Sequence, residues 1–181
     1  MPSANEPRRS PLAVYPSDYD PGAARAPGKG RLAALVGASA ATALIATVGA
    51  WEGKSNVPYR DVVGVLTWCY GETQGRPQAS YTDAECKAML EDRLADYAGP
   101  VLERNPELRG HDPQVVAAAS LAYNIGVANY RKSSVARLFS AGRWREACDA
   151  FLKWNRAGGR EVRGLTNRRK AERAICLKGL A

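Results

Sequence analysis

Residues 51–75 read WEGKSNVPYRDVVGVLTWCYGETQG, and the organisation of the whole chain is read outward from this stretch. From Val57 onward it is rich in Val, Tyr, Thr and Trp, alternates in polarity, and is punctuated by Pro58 and Gly64. β-branched and aromatic residues bounded by turn formers predict two or three short strands. Three polar side chains stand out within it. Glu52 closes an uncharged run, Asp61 follows nine positions later, and Thr67 six positions after that.

Downstream the signals turn helical. Thr82-Asp83-Ala84-Glu85 is a capping box, followed by Cys86, Met89, Leu90, Leu94 and Tyr97 at helical spacing. A second helix starts with Asp112 as its cap and Pro113 in its first turn, and stops at Gly126. Ser133 or Ser134 caps a short helix through Phe139. Trp144, Ala147, Cys148, Phe151 and Leu152 form an apolar stripe ended by Gly158-Gly159, and Thr166 caps a final basic helix through Leu177. One small sheet followed by helices predicts an α+β fold.

Upstream, residues 1–30 are rich in Pro, Gly, Ala and Ser, and bury too little apolar surface to offset ordering entropy; a disordered tail is expected. Residues 32–50, LAALVGASAATALIATVGA, carry no charge across nineteen positions, enough for a helix to span a hydrocarbon core. The span is weak. Eight positions are Ala, five are Gly, Ser or Thr, and six are Leu, Ile or Val. Those six contribute roughly −2 to −4 kcal/mol to insertion. Arg25, Lys29 and Arg31 lie on its N-terminal side, so an anchor here leaves the tail in the cytoplasm and exports everything after Ala50. A cleavable signal peptide and a buried Ala-rich helix are the alternative readings. The chain thus divides into a tail (1–30), a weakly hydrophobic anchor helix (31–50) and a following domain (51–181).

A formal charge of +8 favours anionic partners: nucleic acid, lipid headgroups or an acidic cell wall. No aromatic RNA-binding motif, finger spacing or basic heptad region accompanies it, which argues against nucleic acid. Cys69, Cys86, Cys148 and Cys176 form no CxxC pair, and His111 is the single histidine, so neither a metal site nor a cofactor is expected. An even count on an exported chain suggests two disulfides, with three connectivities possible. Pairing sequence neighbours, Cys69 with Cys86 and Cys148 with Cys176, is the favoured one; four reduced, buried thiols are the alternative.

Glu52, Asp61 and Thr67 suit one reaction in particular. Glycosidic cleavage needs an acid on the leaving oxygen and a second carboxylate near the opposite ring face. Spacing alone fits two surface carboxylates and a strand threonine equally well. The surrounding blocks go further. EG…PYRDVVGVLTWCYGETQG, YTDAECKAML, SLAYNIGVANYRKSSVARLFSAG and WNRAGGREVRGLTNRRKAERAICLKG together resemble the phage lysozymes of the T-even type, glycoside hydrolase family 24. The nearest likeness is to the branch of signal-anchor-release endolysins, and it covers residues 51–181.

That resemblance implies a lysozyme-like fold, with a small antiparallel hairpin lobe, a mainly helical lobe and a hydrophobic helix ahead of them. It implies hydrolysis of the β-1,4 bond between N-acetylmuramic acid and N-acetylglucosamine in peptidoglycan by a monomer. Inversion follows, with Glu52 as general acid and Asp61 with Thr67 positioning water. Thr73, Tyr123 and Ser133 match substrate contacts, although Tyr123 also suits a core position and Ser133 a helix cap. Residues 32–50 would tether the enzyme to the host inner membrane, with the catalytic domain periplasmic until release. Three departures stand out: GET where many members have GHT, so that Glu72 replaces a histidine; GVANY without a second glycine; and the long N-terminal tail. A cationic bilayer-permeabilising protein and a catalytically dead wall-binding module are the competing functional readings.

Overall fold

A computed structural model of the protein describes residues 30–61 and 64–180. The tail expected over 1–30 therefore lies outside the described residues, Gly30 apart.

The uncharged run forms two helices, α1 (Arg31–Val36) and α2 (Ala38–Gly49), rather than the single helix its composition suggests. Gly37 divides them with φ 85° and ψ 157°, a conformation that a Cβ disfavours. No helix among the described residues is long and apolar enough to cross a membrane. Instead the pair packs into the body. Leu32, Ala40, Ala41, Leu44 and Val48 are buried together with Leu90, Leu94, Ala95, Ala98, Val116 and Ala119. Small residues on this face let the helices approach closely, whereas Ala34, Ala38, Ala43 and Ala46 face outward. Polar contacts reinforce the docking: Arg31 pairs with Asp96 at 2.7 Å, and the Ser39 hydroxyl donates to Asp112.

The stretch after Glu52 folds as the expected hairpin. Strands β1 (Ser55–Arg60) and β2 (Leu66–Cys69) are antiparallel, with Ser55 opposite Cys69, Tyr59 opposite Thr67 and Arg60 opposite Leu66. The long helix α3 (Asp83–Arg104) leads away from it and begins with the expected capping box. Thr82 N–H donates to Glu85 Oε2 at 2.7 Å, and Glu85 N–H donates to Thr82 Oγ1 at 3.2 Å. Cys86, in the first turn of α3, is disulfide-bonded to Cys69 at the end of β2, so the hairpin is fastened to the helix.

Helix α4 (Asp112–Ile125) is the centre of the larger lobe. Every residue from Gln114 to Ala122 is buried, the pattern of a helix surrounded on all sides. It stops at Gly126 as expected, but the cap is His111 and Asp112 is the first helical residue. Around it lie α5 (Val127–Lys132), α6 (Ser134–Ser140), α7 (Trp144–Ala150) and α8 (Arg163–Cys176). Two features differ from the sequence reading. A small hairpin, β3 (Arg156–Ala157) with β4 (Arg160–Glu161), turns at Gly158-Gly159, where only a helix stop was expected. Helix α8 starts at Arg163 rather than after Thr166, whose hydroxyl donates to Glu161 Oε1 at 2.9 Å from within the first turn. The second disulfide joins Cys148 of α7 to Cys176 of α8. Spanning 28 residues, it restricts the unfolded chain by about 3.6 kcal/mol on the loop-entropy account.

Candidate active site

Glu52 lies where α2 ends. Its backbone N–H donates to Val48 O at 3.1 Å, so the last turn of the apolar segment sets where the residue leaves the helix. Its carboxylate is largely covered, with the side chain 12 % exposed, and accepts from Arg168 Nη1 at 2.9 Å. Arg168 reaches it from α8, 116 residues away in sequence.

Arg168 is itself held in a buried charge cluster. Its Nε donates to Glu172 Oε1 at 3.2 Å, Arg169 Nη2 donates to the same oxygen at 2.9 Å, and the Ser120 hydroxyl at 2.7 Å. Glu172 and Arg169 are fully buried, so neither has water as a partner. Burial pushes the Glu172 carboxyl up against the opposing pull of the two guanidiniums. It pushes Arg169 down to about 10, which still leaves a cation at neutral pH. Four charges, two of each sign, thus link α8 to the end of α2, with Ser120 of α4 as a neutral brace.

The hairpin carries Asp61 and Thr67. Asp61 follows β1 directly and braces the turn: its Oδ1 accepts from Val65 N–H at 2.8 Å, and its own N–H donates to Val65 O at 2.9 Å. Thr67 is buried in β2, its hydroxyl donating to Val65 O at 3.1 Å. Along the ladder Thr67 lies between the Ser55–Cys69 end, close in sequence to Glu52, and the Asp61 end.

Tyr123, half-buried on α4, packs its ring against Tyr97 at a centroid distance of 5.0 Å. Burial pushes its hydroxyl well up; Arg93 and Arg168 oppose this, while Glu52 and Tyr97 add to it. Tyr123 is therefore a neutral phenol within electrostatic reach of Glu52 and Arg168. Thr73 follows the β2 turn, its N–H donating to Glu72 Oε1 at 2.8 Å. Ser133 is buried and caps α6, accepting from Ala136 N–H at 3.0 Å. The structure thus brings Glu52 and Tyr123 into one electrostatic neighbourhood, and Asp61, Thr67 and Thr73 onto one hairpin and its exit. Ser133 lies apart, at the α5–α6 junction.

No group of three or more His, Cys, Asp or Glu among the described residues is placed to hold a metal ion. Sequence reading missed Ser120, Arg168, Arg169 and Glu172. A signal was there: Leu165, Arg168, Arg169, Glu172 and Cys176 occupy one helical face, so charges sit where a core stripe belongs.

Comparison with known proteins agrees with this architecture. The family model described as "Phage lysozyme" matches residues 49–172. The SAR-endolysin of Bacteriophage PS119 is 39% identical over 158 residues, covering 82% of this chain and 92% of that protein. The SAR-endolysin of Enterobacteria phage P21 is 42% identical over 133 residues, covering 71% and 78%. Among solved structures, the active form of P1 phage endolysin Lyz superposes with a TM-score of 0.64 at 28% identity, covering 77% of this chain and 85% of that one. A variant of P22 lysozyme gives 0.64 at 26% identity, covering 78% and 97%.

Proposed function

This chain belongs to the phage lysozyme family, and from that premise we propose that it is a membrane-released endolysin in which Glu52 is the general acid. It is a lysozyme, and its substrate is peptidoglycan. In the reading advanced here it cleaves the β-1,4 bond from N-acetylmuramic acid to N-acetylglucosamine with inversion. Glu52 protonates the leaving oxygen, while Asp61, assisted by Thr67 of the same hairpin, directs a water to the opposite face of the sugar. Thr73, Tyr123 and Ser133 contribute substrate contacts. The observation that carries the reading is the attachment of Glu52: its N–H bonds to the last turn of α2 and its carboxylate to Arg168. The acid is held only when α1 and α2 are part of the fold.

Digestion of purified peptidoglycan by the full chain tests the chemistry. New reducing ends are expected on muramic acid, with the α-anomer as first product. Reducing ends on glucosamine overturn the bond assignment, and a β-anomer overturns the roles given to Glu52 and Asp61.

Residues 32–50 serve two states in this proposal. In lipid they tether the enzyme to the inner membrane with its catalytic domain in the periplasm; in the fold they deliver Glu52. Relatives named SAR-endolysins support this. So does the burial of Leu32, Ala40, Leu44 and Val48, because one set of side chains cannot line a core and face lipid together. The weak apolarity of the run makes both states accessible. Exchanging Ala34, Ala38, Ala43 and Ala46 for leucine alters only the outward face of the folded pair. Insertion is then favoured by roughly 1–2.5 kcal/mol more, while the core is untouched. The variant is expected to stay in the membrane fraction and delay lysis. Release and lysis at the normal time count against the two-state reading.

A further inference from the structure

The seven residues Cys69–Gly75 carry the chain out of β2 and are held from several sides. Cys69 has φ 51°, the one non-glycine value in the left-handed region among the described residues, and Gly71 and Gly75 have φ 89° and 80°. Trp68 and Glu72 exchange backbone hydrogen bonds of 2.9 and 2.8 Å, which closes the turn without help from a side chain. Yet the Glu72 carboxylate folds over the same turn: its Oε1 accepts from the N–H of Thr73 at 2.8 Å and of Gln74 at 2.9 Å. From α3, Arg93 Nη1 donates to Gly71 O at 2.9 Å and lies 3.9 Å from Glu72 Oε2. Both side chains are mostly covered, at 14 % exposed for Arg93 and 21 % for Glu72.

A turn that had only to reverse the chain would need neither ion. What the ions add is orientation of the exit segment, since a carboxylate gripping two successive N–H groups fixes the peptide planes on both sides of Thr73. Arg93 ties that grip to the helix whose first turn already holds Cys69 through the disulfide. The charge of Arg93 also acts on Tyr123, which Glu52 and Arg168 influence as well.

We propose that Glu72, anchored by Arg93, is a positioning residue of the lysozyme reaction: the pair holds the Cys69–Gly75 turn so that Thr73 meets the sugar in one pose. This rests on the reading of Glu52 as acid and Thr73 as substrate contact. Glutamate accepts from both amides, and its charge matches an arginine on α3.

The test compares peptidoglycan hydrolysis by the full chain and by its Glu72→Ala, Glu72→Gln, Thr73→Ala and Glu72→Ala/Thr73→Ala variants, with Tm measured alongside. Misplacing a substrate contact by about 1 Å costs on the order of a hundredfold in rate. Glu72→Ala is therefore expected to lose about that in kcat/KM while remaining folded at the assay temperature. Glu72→Gln keeps an oxygen for both amides and recovers most of the rate. The double variant is no slower than the slower single one, because the two changes remove one interaction. Additive losses, or full activity in Glu72→Ala, overturn the proposal. If Glu72→Ala does not fold, Arg93→Lys carries the test: a severalfold fall in kcat at unchanged Tm supports positioning, and wild-type kinetics overturn it. Failure of the catalytic reading looks different, since Glu52→Gln would then retain activity.

Discussion

Glu172→Ala is expected to lower the unfolding free energy by about 3–5 kcal/mol, the cost of leaving buried charges unpaired. Glu172 is fully covered and stands against Arg168, Arg169 and the Ser120 hydroxyl, so its removal leaves the buried Arg169 without a carboxylate, beside an Arg168 that keeps only Glu52. For a chain of this size each kcal/mol shifts Tm by about 2–4 °C, so a fall of about 10 °C is expected. Arg173→Ala is the control. Arg173 also pairs with an acid, Asp149, at 2.7 Å, but the two side chains are 40 % and 50 % exposed. Exposed pairs contribute about 1 kcal/mol or less. The same type of contact is thus expected to differ severalfold in consequence because of burial alone. Activity should fall with stability in Glu172→Ala, since Arg168 loses the partner that aims it at Glu52. Equal denaturation midpoints for the two variants would show that the cluster does not brace the fold.

That cluster also marks where the sequence stopped being readable. Several local signals hold where a residue acts on its own backbone neighbourhood. The Thr82–Glu85 box, the stop at Gly126 and the hairpin over 55–69 all stand where local chemistry puts them. The disulfides also join sequence neighbours. Reading failed where the deciding partner is distant. Asp112 was expected to cap its own helix, but its carboxylate takes the hydroxyl of Ser39, so the cap position moves back to His111. Gly37 looked like one more small residue in an apolar run. Its break appears only because α1 and α2 must both lie against α3 and α4. The final helix is legible as basic, but that its Arg168 and Arg169 point inward to a glutamate on the next turn is not. The strands beside Gly158-Gly159 are two residues long, too short for any alternation to register. Glu52, Asp61 and Thr67 were legible as letters at a spacing. That Arg168 holds the first of them was not, because 116 residues separate the two.

Glu52→Gln is expected to abolish measurable hydrolysis while leaving the fold in place. A positioned general acid contributes typically about 10²–10⁴ in rate, and an amide has no proton to give at any working pH. The substitution preserves shape: the glutamine oxygen still accepts from Arg168 Nη1, and Arg168 keeps Glu172 as a second partner through its Nε. The variant therefore loses one charge from a cluster that retains a carboxylate, and a change in Tm of only a few degrees is expected. Asp61→Asn gives a second, separable loss. Its side-chain oxygen still accepts from Val65 N–H, so the hairpin survives while the carboxylate proposed to direct water is gone. Release of reducing ends and clearing of wall suspensions should fail in both variants, while sedimentation with purified walls should persist. The competing readings predict otherwise. A protein that kills by permeabilising bilayers needs its cationic surface and not this proton, and a wall-binding module loses nothing with it. If Glu52→Gln clears walls at the rate of the parent, Glu52 is a structural partner of Arg168 and the acid must be sought elsewhere. If the variant loses its fold together with its activity, the neutral amide has failed to replace the carboxylate as a brace, and Asp61→Asn then decides whether the hairpin carries chemistry.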